Sequence, residues 1–152
     1  ARDNLIKNEN PKNKKTVSQF SPLTLAYIGD SVYDLVVKEK LLHGENIPNG
    51  KLHRRATRFV SAVGQSKSVD ILIPLLSEDE LSVYKRGRNC EVNPGKNSDI
   101  GEYHRATGFE ALIGYLYLCG ETERIDTFVN LIFSQFGEGE LNDEKNDGDS
   151  SA

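Results

Sequence analysis

Residues 21–37 read SPLTLAYIGDSVYDLVV, and the apolar side chains in this stretch recur every three to four positions. That spacing predicts a single amphipathic helix. Ser21 followed by Pro22 is typical of a helix N-cap and first turn, and Gly44 is the expected stop signal. Residues 106–118, ATGFEALIGYLYL, predict a second helix that is at least as apolar. These are the two most apolar helices in the chain.

Helical spacing continues along the rest of the chain, and no pair of strands with hairpin turns is visible. The predicted fold class is therefore all-α, a bundle of helices. Ser77 and Glu80 form a capping-box pattern, which marks the start of a helix. Besides residues 21–42, the expected helices cover residues 51–76 (divided at Gly64), 77–89, 102–119 (ended by Gly120) and 121–136.

The 152 residues fit one domain with unstructured ends. Residues 1–20 have almost no apolar pattern and predict a flexible N-terminal extension, while 21–136 form the domain. Residues 137–152 predict a disordered acidic tail. This tail carries a net charge of −5, so the total of −4 leaves about +1 on the rest of the chain. An acidic total therefore does not exclude a polyanionic partner.

Basic side chains occur in two groups in the middle of the chain. Solvated helix faces are the simplest interpretation of such groups, and a surface that binds nucleic-acid phosphates is the alternative. The members are Lys51, Arg54, Arg55 and Arg58 in the first group, and Lys85, Arg86, Arg88 and Lys96 in the second.

Several classes of protein are disfavoured by composition. The two cysteines, Cys90 and Cys119, have neither a CxxC spacing nor a histidine pair, which argues against a zinc site. No apolar run approaches the length of about 20 residues that a transmembrane helix needs. No glycine-rich phosphate loop or dinucleotide-binding pattern is present. A reducing cytoplasm is the expected location.

Two carboxylates break the pattern of the apolar helices. Asp30 follows Ile28 and Gly29, and Glu110 lies between Phe109 and Ala111. A carboxylate buried there needs a basic side chain, a capping amide, a proton or a divalent metal as partner. The glycines near both acids, Gly29, Gly108 and Gly114, are typical of close backbone approach. The alternative is that both acids lie at the margin of the apolar face and are solvated.

Other titratable residues have simpler explanations. Asp34 is followed by Lys38 at the spacing of a surface ion pair. His53 and His104 each precede arginines, and contacts with phosphates or helix ends are more common for such residues than acid catalysis. His43 is expected to contact the end of its helix.

The quoted segments resemble the ribonuclease III catalytic-domain family. LAYIGDSVYDLVV is similar to the signature helix of that family, and FEALIG is similar to its second acidic helix. With KRGRN, these segments most resemble the Mini-ribonuclease III branch, which lacks a double-stranded-RNA-binding domain. The resemblance covers residues 21–136 and implies a ribonuclease III-like helical catalytic domain that forms a homodimer.

The resemblance implies that Asp30 and Glu110 are catalytic acids that bind Mg²⁺, with Mn²⁺ as a possible substitute. The wider family has acids where this chain has Ala26 and Thr107, which leaves fewer protein ligands for the metal. A threonine at position 107 resembles the pattern of the Mini branch, and the Thr107 hydroxyl could orient a water molecule. The implied RNA contacts are Arg54, Arg55, Arg58, Lys85, Arg86, Arg88 and Lys96.

The activity implied is metal-dependent cleavage of double-stranded or structured RNA, leaving 5′-phosphate and 3′-hydroxyl ends. The implied substrate is a ribosomal RNA precursor in the bacterial cytoplasm. Two alternatives from other classes remain at this point: a non-catalytic relative that clamps duplex RNA, and a helical module that binds proteins. Retention of both acids in apolar helices argues against the clamp.

Overall fold

A computed structural model of the protein describes residues 6–42, 46–90 and 99–150, with side chains described up to residue 136. Within these ranges the regular secondary structure is entirely helical, which confirms the predicted fold class. A short 3₁₀ turn, Ile73–Leu75, follows the fourth helix. The α-helices are α1 (Lys14–Ser18), α2 (Pro22–Leu42), α3 (Asn49–Val60), α4 (Ala62–Leu72), α5 (Glu78–Arg88), α6 (Ile100–Leu118) and α7 (Thr122–Ser150).

The centre of the fold is α6, which packs most extensively against α2 and is flanked by α5 and α4. Tyr33 of α2 and Phe109 of α6 are fully buried, and their rings meet edge to face with centroids 4.7 Å apart. The two most apolar segments of the sequence therefore form the middle of the core, because they have the most surface to remove from water.

Local signals set several helix ends as predicted. The Ser21 hydroxyl accepts a hydrogen bond from the Thr24 amide at 3.1 Å. Ser77 and Glu80 form the complete capping box at the start of α5. Gly120 adopts a φ of +79°, a conformation that glycine reaches without strain, immediately after α6. Each of these signals acts within a few residues, so the sequence is sufficient to place it.

The break in the helical segment predicted for residues 51–76 was predicted at Gly64, which is wrong. It falls at Ser61, which has extended backbone angles and caps α4 by accepting from the Gly64 amide. Gly64 instead allows close packing, since a Cβ there would lie 2.0 Å from the Arg58 carbonyl oxygen. In addition, α6 starts at Ile100 rather than Glu102, because the Asp99 side chain caps it.

The N-terminal segment is packed along residues 6–20, unlike the flexible extension predicted for 1–20. Val17 is fully buried. The Asn8 side-chain amide donates to the Tyr117 carbonyl at 2.9 Å, and the Lys12 amide donates to the Leu118 carbonyl at 2.8 Å. The segment thus supplies donors to carbonyls at the end of α6, which have no partner within their own helix. A single buried valine gives too weak a pattern to predict this.

The C-terminal helix extends further than its apolar pattern. Phe59 of α3 stacks on Phe133 and Phe136 of α7, with ring centroids 4.2 and 5.3 Å apart. Beyond Phe136, α7 continues to Ser150 through a stretch that contains no proline. The disorder proposed for residues 137–152 stays a prediction.

Among the described residues, no helix has both the length and the apolar character needed to cross a membrane.

Candidate active site

The helices α2 and α6 cross with their backbones in contact at two glycines. A Cβ on Gly29 would lie 1.7 Å from the Glu110 carbonyl oxygen, and a Cβ on Gly114 would lie 1.9 Å from the Leu25 carbonyl oxygen. Both distances are far below van der Waals contact, so only glycine fits at either position. This close approach brings the Asp30 turn of α2 against the Glu110 turn of α6.

Asp30 and Glu110 form a pair at this crossing. Asp30 is exposed, and Glu110 is partly buried. Burial, together with hydrogen bonding to Asp30 and the charge of Asp30, raises the pKa of Glu110 to about 8. The side-chain amide of Gln65 acts in the opposite direction, because it donates to Glu110 Oε2 at 3.3 Å. The two acids that the sequence singled out are thus brought together in space.

The chemistry of this pair fits a divalent cation. Two neighbouring carboxylates repel each other when both are ionised, and a cation between them offsets that repulsion. Mg²⁺ is commonly held by one or two carboxylates, with water and phosphate oxygens completing its coordination. Among the described residues, no cluster of three or more Asp, Glu, His or Cys side chains is positioned to hold a metal. Asp30 and Glu110 could each contribute carboxylate oxygens to such a cation.

Ala26 and Thr107 occupy the positions where the resembled family has further acids. Both residues are buried. The Thr107 hydroxyl donates to the Tyr103 carbonyl at 3.1 Å, within its own helix. Its proton is therefore occupied, although the oxygen retains lone pairs that can accept a hydrogen bond. A role in orienting water stays a prediction.

The structure places the first basic group on α3. Arg54 is exposed, while Arg55 and Arg58 are partly buried. All three arginines have interactions with other groups in the protein. Their role in RNA binding stays a prediction.

The residues of the second basic group differ in their contacts. Lys85 is exposed on α5. Arg86 donates to the carbonyls of Ser18 and Phe20, so its guanidinium holds the N-terminal segment against α5. Arg88 donates to the Asn89 side chain and lies over the Tyr84 ring. Lys96 lies outside the described residues.

In the described part of the chain, the remaining titratable candidates make their hydrogen bonds and ring contacts with groups other than Asp30 and Glu110. Asp34 pairs with Lys38 at 2.8 Å on the surface of α2, as predicted. His53 is exposed, and His104 contacts the edge of the Tyr103 ring. His43 lies outside the described residues. No hydrogen bond connects either described histidine with Asp30 or Glu110 in the described part of the chain.

Gln65 is the site residue that the sequence reasoning missed. The residue is only 2% exposed. Gln65 Nε2 donates hydrogen bonds to Glu110 Oε2 and to the Val60 carbonyl oxygen, which lies 3.0 Å away. A signal was available: Gln65 lies four residues before Val69 and seven before Leu72, on one apolar face of α4. A polar residue on such a face requires a hydrogen-bonding partner.

Comparisons of the sequence with known proteins agree on one family. Residues 23–121 match the ribonuclease III domain family. A Clostridium tetani protein named Mini-ribonuclease 3 is 39% identical over 140 residues, which cover 91% of this chain and 93% of that protein. A Symbiobacterium thermophilum protein of the same name is 47% identical, covering 68% and 81%. A Fusobacterium nucleatum protein of known crystal structure has a TM-score of 0.71 and 28% identity, covering 78% and 96%.

Proposed function

The chain belongs to the ribonuclease III domain family, in its Mini-ribonuclease 3 branch, and we propose that this endoribonuclease cuts double-stranded RNA at the Asp30–Glu110 pair with Mg²⁺ or Mn²⁺. The observation that supports the proposal is the contact between these two acids, which lie on separate helices and meet only because α2 and α6 cross at glycines. A partly buried carboxylate placed beside a second carboxylate does not stabilise a fold by itself, so a bound cation explains the pair better than stability does.

In this proposal, Asp30 and Glu110 hold the cation through their carboxylate oxygens. A bound divalent cation would supply positive charge against the scissile phosphate and lower the pKa of a coordinated water. Asp30 is exposed and can reach a substrate phosphate, whereas Glu110 is anchored from behind by Gln65. Hydrolysis with water attacking phosphorus leaves a 5′-phosphate and a 3′-hydroxyl when the bond to the 3′ oxygen breaks.

Basic side chains on α3 and α5 would contact the phosphates of the duplex. A-form RNA is recognised mainly through its phosphates, minor groove and 2′-hydroxyls, which suits positive side chains on helices. The exposed candidates are Arg54, Lys85 and Arg86. Arg86 would contribute less than predicted, because its guanidinium is engaged by backbone carbonyls. Binding should weaken steeply as salt concentration rises.

We also propose a homodimer whose contact includes α2. Tyr27 is 78% exposed, and Leu23 and Leu35 on the same helix are also exposed. Exposed apolar side chains grouped on one helix favour an interface. Gly29 is packed against α6 within the chain, so the exposed side chains of α2 would make this contact. Sedimentation as a monomer at micromolar concentration would contradict this part of the proposal.

The test of the activity is a matched set of neutral substitutions. We expect Asp30→Asn and Glu110→Gln each to abolish cleavage of a labelled RNA duplex in Mg²⁺, while duplex binding persists. Asp34→Asn is the control, since Asp34 lies on the same helix as Asp30 but pairs with Lys38 on the surface. Full cleavage by Glu110→Gln protein would refute the assignment.

A non-catalytic clamp on duplex RNA is the second candidate, and the absence of acids at Ala26 and Thr107 motivates it. The named relatives favour the enzyme. A Mg²⁺ titration distinguishes the two, because a clamp would bind the duplex without forming product at any concentration. Maturation of ribosomal RNA precursors in the cytoplasm is the proposed biological role, and accumulation of unprocessed precursor in cells lacking the protein would test it.

A further inference from the structure

We propose that Gln65 positions the Glu110 carboxylate for cation binding, by donating a hydrogen bond to it from α4. The inference rests on the proposed function of the Asp30–Glu110 pair. It concerns a residue that contacts an acid of the site rather than the substrate, so Gln65 is a positioning residue.

The first argument is the orientation of the amide. Gln65 Nε2 lies 3.0 Å from the Val60 carbonyl oxygen and 3.3 Å from Glu110 Oε2. The Val60 carbonyl can only accept a hydrogen bond, so the group facing it must be the NH₂ rather than the oxygen. The second N–H is then directed to the Glu110 carboxylate. Because Val60 is the last residue of α3, the amide ties Glu110 to the fixed junction between α3 and α4.

The second argument is the cost of having an amide at this position. Gln65 is buried, and its Oε1 has no hydrogen-bond partner in the described part of the chain. An unsatisfied buried acceptor destabilises a fold. An apolar side chain of similar volume would avoid that cost on the apolar face of α4. The amide is therefore better explained by what its nitrogen does for Glu110.

The third argument is mechanical. Glu110 has a flexible side chain with three torsions, and its neighbour Asp30 repels it when both are ionised. A hydrogen bond from a fixed donor keeps the carboxylate beside Asp30 instead of letting it turn away. Residues that orient metal-binding side chains in this way typically change metal affinity or activity 10- to 100-fold when replaced.

The experiment replaces Gln65 by methionine, which keeps the length and approximate volume but removes the donor. Mn²⁺ binding to the RNA-free protein, followed by electron paramagnetic resonance, should weaken about 10-fold or more. The kcat for duplex cleavage should fall by a similar factor, with little change in KM for RNA. Gln65→Asn keeps the amide on a shorter side chain, and it should also weaken Mn²⁺ binding.

Ser68→Ala is the matched control. Ser68 is a fully buried polar residue on the same helix that donates to the Gly64 carbonyl and not to Glu110. Its replacement should change Tm without changing Mn²⁺ affinity. In a Glu110→Gln background, Gln65→Met should have no further effect on Mn²⁺ binding, because the group that Gln65 positions is gone.

Unchanged Mn²⁺ affinity and kcat in folded Gln65→Met protein would overturn the inference, whatever happens to its Tm. If Asp30→Asn and Glu110→Gln abolish cleavage while Gln65→Met is fully active, only the role of Gln65 fails. If Glu110→Gln retains cleavage, the proposed function fails and the inference falls with it.

Discussion

The crossing of α2 and α6 can be tested by adding one methyl group at Gly114. A Cβ there would lie 1.9 Å from the Leu25 carbonyl oxygen and 2.8 Å from the Leu25 carbonyl carbon. Neither atom can rotate away, since both belong to helical backbone. Reaching an ordinary contact of 3.4 Å requires the helices to separate by about 1.5 Å at this point. The Gly114→Ala substitution therefore forces a rigid-body shift.

Two measurable effects should follow. Overpacking a close-packed core costs about 1–3 kcal/mol, and a chain of this size loses roughly 2–4 °C in Tm for each kcal/mol. A shift of about 1 Å in catalytic geometry can also reduce activity about 100-fold. We expect Gly114→Ala to lower Tm by several degrees and to lower kcat by one to two orders of magnitude, although it lies a full turn beyond Glu110.

Gly50→Ala is the control for the glycine substitution itself. Gly50 lies in the first turn of α3, where a Cβ would meet only the end of the Arg54 side chain at 3.8 Å. Alanine should stabilise this helix by up to about 1 kcal/mol. The assays are thermal unfolding and single-turnover cleavage of a labelled duplex. Wild-type Tm and kcat in Gly114→Ala protein would show that the two backbones are not in contact.

Two further predictions concern pH and the N-terminal segment. Because burial and Asp30 raise the folded-state pKa of Glu110 from 4.5 to about 8, metal-free protein should lose stability as pH rises from about 4.5 to 8. In EDTA, the free energy of unfolding of Glu110→Gln protein, measured by chemical denaturation, should rise relative to that of the wild type by about 1–3 kcal/mol across that pH range. A difference between the two proteins that stays constant with pH would contradict the pKa shift. Val17→Ala should destabilise the domain by roughly 1–3 kcal/mol because Val17 is fully buried, and an unchanged denaturation midpoint would show that residues 6–20 do not pack on the domain.

The sequence identified the two acids, but it could not identify everything that holds them. Asp30 and Glu110 stood out because a charged side chain in an apolar helix destabilises the fold unless it has a partner. Gln65 carries no charge, so its burial was a weaker anomaly, although its spacing with Val69 and Leu72 pointed to the same conclusion. Arg86 was the opposite case, since its charge suggested RNA and its contacts are with the backbone near Ser18 and Phe20.

The features that the sequence determined are those decided within a turn or two of helix: the all-helical class, the capping box at Ser77, the stop at Gly120 and the presence of carboxylates in apolar segments. These depend on periodicity and on side chains that bond to nearby backbone. The tertiary structure decided which groups meet across the fold. Glu110 lies 45 positions from Gln65, and their hydrogen bond depends on how α4 and α6 cross, which no local pattern encodes. Asp30 and Glu110 meet because two glycines allow helix backbones to touch, and that contact belongs to the packed molecule rather than to either segment.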